Sequence, residues 1–306
     1  MRRLAAIIGV VLVVFPSSGT AGGATSFRDL YPVFSPDGRE IAFIRVANTD
    51  SAIMLVGSDG HGLRALVHVW TGPVAWSPDS RWLAYGANGD IWRIEVATGA
   101  IERLTSNGTG GGQLSWSPDG ALIAYMRFEG CYRCSDIWVM NADGSGQRKL
   151  ATTGRRPVFS PDGTRVAISN APMLAVDLAG GVAVPGSGAY VTWSPRGTYI
   201  AYTSNGLWIE NLETGVLRKV SKFLGQKPAW SPDGKMIAGG AGLSDTLAVV
   251  RARDGSHFTR LWHSNIDGGA PTWSPQGLVA FTHEHSCGID VARGDGTHAR
   301  RLTQVC

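Results

Sequence analysis

An all-β chain, folded as a seven-bladed β-propeller of four-stranded antiparallel blades, is predicted by three recurrences. A Ser-Pro step returns at Ser35, Ser77, Ser117, Ser160, Ser194, Ser231 and Ser274, at intervals of 42, 40, 43, 34, 37 and 43 residues. A period near 40 with four short strands per unit is the rhythm of propeller repeats. The residue before each serine is aromatic: Phe34, Trp76, Trp116, Phe159, Trp193, Trp230 and Trp273. An alanine recurs in the segment that follows, at Ala42, Ala84, Ala124, Ala167, Ala201, Ala238 and Ala280. A large and a small side chain at fixed places in every repeat are expected to mesh between adjacent twisted sheets, as dense packing requires.

In chain order, Met1 to Ala24 reads as a targeting segment. Arg2 and Arg3 form its positive end, Leu4 to Phe15 an apolar run of 12 residues, and Pro16 to Ala24 a small-residue stretch with cleavage after Ala21 or Ala24. Twelve residues are too few to span a bilayer, which needs about 20. Residues 25–306 then form a single propeller domain, without a linker or low-complexity tract between repeats.

The third repeat shows why each element forms. Leu114 to Trp116 is a first strand that runs into Ser117-Pro118-Asp119-Gly120. Proline fixes φ for a type I turn, Asp119 tolerates the second central position, and glycine takes the positive φ that follows. Leu122 to Met126 is a second strand, Asp136 to Met140 a third, and Asp143-Gly144 turns the chain into a fourth ending at Leu150. Departures are local: Ser80 replaces the turn glycine in the second repeat, and Arg196 and Gln276 replace the aspartate in the fifth and seventh. The aspartates therefore read as turn formers, not as a catalytic ring. Gly108 to Gly112 has no lysine or helix of a phosphate loop and reads as a connection between blades two and three.

The first repeat starts at its first strand, Tyr31 to Phe34, and the last ends with its fourth, Arg300 to Thr303, so each blade is complete in sequence. Closure is then expected from packing of blades one and seven, or from an edge strand made by Ser26 to Leu30. Cysteines Cys131, Cys134, Cys287 and Cys306 all follow the targeting segment, where an oxidising compartment allows disulfides. Nearness within blades favours Cys131 with Cys134 and Cys287 with Cys306. The second loop, about 20 residues, would contribute ~3 kcal/mol in the chain-entropy model. Cys131-Tyr132-Arg133-Cys134 also has the spacing of a redox motif or half a zinc site.

Aromatic-Ser-Pro-Asp-Gly, Ile-Ala-Tyr and Asp-Ile-Trp-Val-Met-Asn-Ala-Asp-Gly-Ser-Gly together resemble the TolB-type, WD-like β-propeller repeat, from Tyr31 to Thr303. The resemblance covers the propeller alone, not the α/β domain that precedes it in that family. His283-Glu284-His285-Ser286-Cys287 is the one cluster with metal-ligand character, because histidines two apart on an extended segment point to one side. The seven-bladed pectate-fragment lyases, which the repeat also resembles, hold a channel metal with histidines. Trp92, Trp138 and Trp208 share one third-strand position and read as blade-to-blade packing, while Trp70, Trp82 and Trp262 fit either a loop-side binding surface or half-buried loops.

Composition excludes some partners. The formal charge of +4 falls to +2 once Arg2 and Arg3 leave, with 26 Lys+Arg facing 24 Asp+Glu, and that is no nucleic-acid footprint. The expectation is an exported, non-catalytic binding scaffold, secreted or periplasmic, monomeric, without a cofactor. It would present loops to a protein, glycan or other cell-envelope partner and span no membrane after cleavage. The alternative is a metal-dependent polysaccharide lyase or hydrolase with a divalent metal on His283 and His285. A third reading is a sensor domain holding a small ligand in the channel.

Overall fold

The computed structural model describes residues 27–303, apart from 48–49, 107, 109, 132–133, 180–185, 242–245, 266–269 and 283–287. Among the described residues the chain is all-β, and seven blades follow one another in sequence. In blade one, Arg28–Phe34, Glu40–Val46, Ser51–Gly57 and Arg64–His68 pair antiparallel in that order. Blades two, three, six and seven repeat the plan as separate four-stranded sheets. In blade four the segment Arg165–Asp177 folds back on itself, with Leu178 N–H meeting the Thr164 carbonyl at 3.0 Å, and its middle pairs through Asn170↔Gly188 and Met173↔Gly186 with the first strand of blade five, Gly186–Trp193, so these two blades share one sheet. No described helix is long and apolar enough to cross a membrane.

Seven separate apolar clusters occupy the seven blade junctions, which is how the ring is held. Alternation along the second strand does the sorting. Ala42 faces blade two and shares a cluster with Trp76, whereas Ile41 and Phe43 face blade seven and cluster with Ala280, Ile289 and Val291. The same pairing of alanine with the next repeat's aromatic recurs as Ala84 with Trp116, Ala124 with Phe159, Ala167 with Trp193 and Ala280 with Phe34. The indoles add a bond that periodicity alone did not reveal. Trp76, Trp116, Trp193 and Trp273 each donate Nε1–H to a main-chain carbonyl of the preceding blade, at Val33, Ala75, Val158 and Ala229, over 2.9–3.1 Å.

Closure follows the packing route. Residues 28–30 extend the first strand of blade one, with Asp29 opposite Arg45, and do not form an edge strand on blade seven. The first strand therefore begins three residues earlier than the sequence pattern predicts. Asp29, 1% exposed, accepts two hydrogen bonds from Arg45 at 2.7 and 2.8 Å and one from Thr303 Oγ1 at 2.6 Å. Arg300 of blade seven donates to the carbonyls of Ser58 and Asp59. The Gly-rich connection also differs from expectation, since Gly110–Trp116 is one strand. The close approach rests on Gly86 of blade two, where a Cβ would meet the Gly112 backbone nitrogen at 2.8 Å.

The Ser-Pro-Asp-Gly turns are built by side chains. Ser117 Oγ donates to Asp119 Oδ1 at 2.5 Å and accepts Leu122 N–H at 2.8 Å, while Asp119 Oδ1 accepts Ala121 N–H at 3.0 Å. The same bonds recur at Asp37, Asp79, Asp162 and Asp233. The hydrogen bonds from Ser117 and Ala121 hold the Asp119 carboxyl below its ordinary value of 3.8, and those from Ser160 and Thr164 do the same for Asp162. A carboxyl with a lowered folded-state pKa stabilises above its unfolded value and loses that contribution as pH falls through the folded one. The melting temperature is therefore expected to be flat down to about pH 5 and to drop below about pH 4. Ser117→Ala should shrink that drop in a thermal unfolding series across pH.

Candidate functional site

First strands of neighbouring blades contact one another, so they wall the central channel. Each runs from the face bearing the second-to-third strand hairpins to the face bearing the Ser-Pro turns. At the turn face the mouth is lined by Phe34, Trp193, Trp230 and Trp273 with Pro36, Pro195, Pro232 and Pro275, a cavity of about 410 Å³ with no charged lining residue.

The hairpin-face end differs in kind. Tyr31, Gln113, Arg156, Tyr190 and Lys227 all take positive φ, between 44° and 65°. Each stands three residues before the aromatic of its repeat, and each lies where the pairing of first and second strand shifts register. Bulges of this sort re-aim a side chain and end a ladder. A non-glycine residue held at positive φ costs of order 1–3 kcal/mol, and such strain gathers at functional sites. In blade two the same place is Pro73, whose ring forbids positive φ, and the first strand there shrinks to Ala75–Trp76.

These five residues form a belt. Gln113 Oε1 accepts the Arg156 main-chain N–H at 2.9 Å, and the Arg156 guanidinium lies 4.2 Å from the centre of the Tyr190 ring. Tyr31 packs against the apolar cluster shared with blade two. Further out from the channel, three tryptophans on third strands each sit opposite a cation on the fourth: Trp92 with Arg103, Trp138 with Lys149, Trp208 with Lys219, at 5.5–5.9 Å from ring centre to charge. These indoles do pack between blades, and the cations cover their outer faces.

Charge on this face is uneven. Arg103 also pairs with buried Asp90, and Lys149 with Asp136. In blade five Gly206 stands at the aspartate's place, so Lys219 has no carboxylate partner among the described residues. Arg155, Arg156, Lys222 and Lys227 likewise have no described carboxylate within ion-pair distance. The mouth is thus cationic at Arg155 and Arg156 of blade four and Lys227 of blade six, with Tyr190 between them, while Lys219 lies on the outer strand of blade five and Lys222 just after it. Phe223, 54% exposed, lies under Lys222 and edge-on to Phe258, which follows the third-strand turn of blade six, so it belongs to the outer rim and not to the mouth.

Several sequence-predicted residues fall elsewhere. His283, His285, Cys287 and Cys306 lie outside the described residues. Cys131 and Cys134 are register partners at the tip of the second and third strands of blade three. No group of three His, Cys, Asp or Glu with metal-holding geometry occurs among the described residues. Trp70 is exposed on the connection between blades one and two, and Trp82 lies beneath the guanidinium of Arg93 at 4.4 Å. The belt was missed because its members share no residue type; the one available signal was their constant offset from the aromatic.

Fold and channel together define a closed seven-bladed propeller with an equipped mouth. The sequence profile of the TolB beta propeller domain matches residues 24–179, and the chain belongs to that family. Among curated relatives, the Tol-Pal system protein TolB of Francisella tularensis subsp. mediasiatica (strain FSC147) is 25% identical over 124 residues, 36% of this chain and 28% of that protein. The Tol-Pal system protein TolB of Anaeromyxobacter dehalogenans (strain 2CP-C) is 37% identical over 84 residues, 26% of this chain and 18% of that protein. The matched stretch is thus less than a third of either relative's length. Among solved structures, TolB from Acinetobacter baumannii superposes with a TM-score of 0.56 at 20% identity, covering 77% of this chain and 63% of that one. An oligogalacturonate lyase in complex with manganese gives 0.68 at 16% identity, covering 84% and 86%. At such identities the likeness is one of fold.

Proposed function

We propose that this protein is an exported, non-catalytic binding scaffold that receives an acidic cell-envelope partner, protein or glycan, at the hairpin-face mouth of its channel. The observation that carries the reading is the belt: five residues of unrelated type hold the same strained backbone state at one level of the channel wall. Strain repeated in register is a cost that packing does not require, since blades two and seven close without it. Arg156 and Lys227 supply charge, Tyr31 and Tyr190 supply rigid faces, and aromatic and arginine anchors are what interface centres use. Family membership and the curated relatives' Tol-Pal designation support an envelope setting.

In this reading residues 1–24 are removed on export and residues 25–306 form the propeller. Cys131 with Cys134, and Cys287 with Cys306, are disulfides of an oxidising compartment, which the cross-strand register of the first pair supports. Intact mass of the exported protein checks both points, each bridge removing two hydrogens. The functional test is capture from solubilised native envelopes by the wild type and by the Arg156→Glu/Lys227→Glu double variant. Partners taken up by the wild type and lost by the double variant are expected; identical capture by both would overturn the reading. The alternative, a metal-dependent polysaccharide lyase or hydrolase, is tested on the same preparation. Stoichiometric divalent metal that disappears in His283→Ala/His285→Ala would favour it.

A further inference from the structure

A second site is visible on the opposite, turn-bearing face. At four blade junctions an arginine of one blade donates to a carbonyl at the third-strand turn of the next. Arg93 bonds Ala142, Arg148 bonds Leu178, Arg218 bonds Ala252, and Arg300 bonds Ser58 and Asp59. Three of these clamps start from one register position: Arg148 opposite Val139, Arg218 opposite Ile209, Arg300 opposite Val291. In blade six that position, opposite Val249, is Thr259. The junction of blades six and seven therefore lacks the side chain that bridges its neighbours.

A second departure lies at the same junction. Elsewhere the serine of the turn bonds the residue five places on, as Ser231 N–H does with the Met236 carbonyl. In blade seven Ser274 bonds Leu278, four places on, so the turn is one residue short. Between the two blades lies a solvent-open cleft of about 540 Å³, within the range of ligand sites. Met236 and the half-buried Trp273 give it an apolar wall.

Its charge is also peculiar to this junction. The last residue of the third strand is Gly57, Glu95, Asn141 and Asn211 in blades one, two, three and five, but Arg251 in blade six and Arg293 in blade seven. Both arginines line the cleft, one from each blade; Arg251 acts through space on Asp254 and Arg293 on Asp295, and no ion pair within 4.0 Å ties either guanidinium to a described carboxylate. His257 Nε2 lies 3.3 Å from Arg251 Nη2. The two lining carboxylates are used within their own turns: Asp233 by Ser231 Oγ and Lys235 N–H, Asp295 by Thr297. Guanidinium forks on facing blades match carboxylates, and the apolar wall between them matches an aliphatic or aromatic side chain.

We propose that the cleft between blades six and seven binds an acidic peptide segment of a partner protein, with an apolar side chain against Trp273 and Met236 and carboxylates on Arg251 and Arg293. The site is independent of the channel belt. The test is selection of a displayed random-nonapeptide library on the mature protein, followed by affinity measurement of the enriched peptides. Enriched sequences combining Asp or Glu with an apolar residue are expected. Their binding should weaken at least tenfold in Arg251→Ala/Arg293→Ala. It should weaken equally in Thr259→Arg, which restores the missing clamp and should leave the melting temperature unchanged or higher. No enrichment, enrichment of neutral or basic peptides, or unchanged binding by both variants would overturn the proposal. Neither variant touches the belt, so envelope capture through Arg156 and Lys227 should persist in both.

Discussion

Asp29→Ala is expected to cost about 3–5 kcal/mol, the loss typical of breaking a buried ion pair by removing one partner. Asp29 is 1% exposed and has its carboxylate divided between Arg45 of its own blade and Thr303 of the last, 274 residues away. Alanine would leave the largely buried Arg45 guanidinium, 17% exposed, without a carboxylate, and would cut a bond that ties the two ends of the ring. Urea unfolding followed by tryptophan fluorescence measures the effect. Asp37→Ala serves as the control, because its side chain is 43% exposed and the turn it supports is local; a loss below about 1 kcal/mol is expected there. Equal losses in the two variants would show that closure does not depend on this contact.

Gly255→Ala is expected to cost about 2–5 kcal/mol, while Gly215→Ala at the same place in the preceding repeat should cost about 1 kcal/mol. The two glycines have nearly the same backbone, φ of 74° and 69°, so the strain of a left-handed alanine is common to both. They differ in surroundings. A Cβ on Gly255 would run into the carbonyl oxygen of Val220 in blade five, and backbone cannot step aside as a flexible side chain can. A Cβ on Gly215 would meet nothing within 4 Å. Thermal and denaturant unfolding of the pair separates conformational strain from packing between blades. If both variants lose the same stability, blade six does not press on blade five as described.

The ring was legible in sequence because its code is one of volume. An aromatic and an alanine repeated about every 40 residues predicted the meshing now seen at Ala42 with Trp76 and at Ala84 with Trp116. What volume cannot encode is a hydrogen bond to main chain, so the indole bonds to Val33 and Ala75 carried no separate signal. Strand limits failed where glycine hides them. Gly110 to Gly112 read as a loop, yet they open a strand, and it is the missing Cβ of Gly86 in blade two that lets the Gly112 backbone come close. The belt was hidden for a different reason: a bulge fixes φ and leaves the side chain free, so Tyr31, Gln113, Arg156, Tyr190 and Lys227 are alike in backbone and unlike in chemistry. The missing clamp at Thr259 becomes visible only once register shows which arginines are its equivalents.

Site-directed photocrosslinking in living cells tests the binding role of the belt most directly. A benzoylphenylalanine residue at Tyr190, in the belt, is compared with one at Tyr199, which starts the next strand of blade five on the turn face and is 39% exposed. Covalent adducts to an envelope component from position 190 and none from position 199 are the expected result. Adducts from 199 alone, or none from 190 in cells where the protein is exported and folded, would contradict a partner seated on the channel mouth.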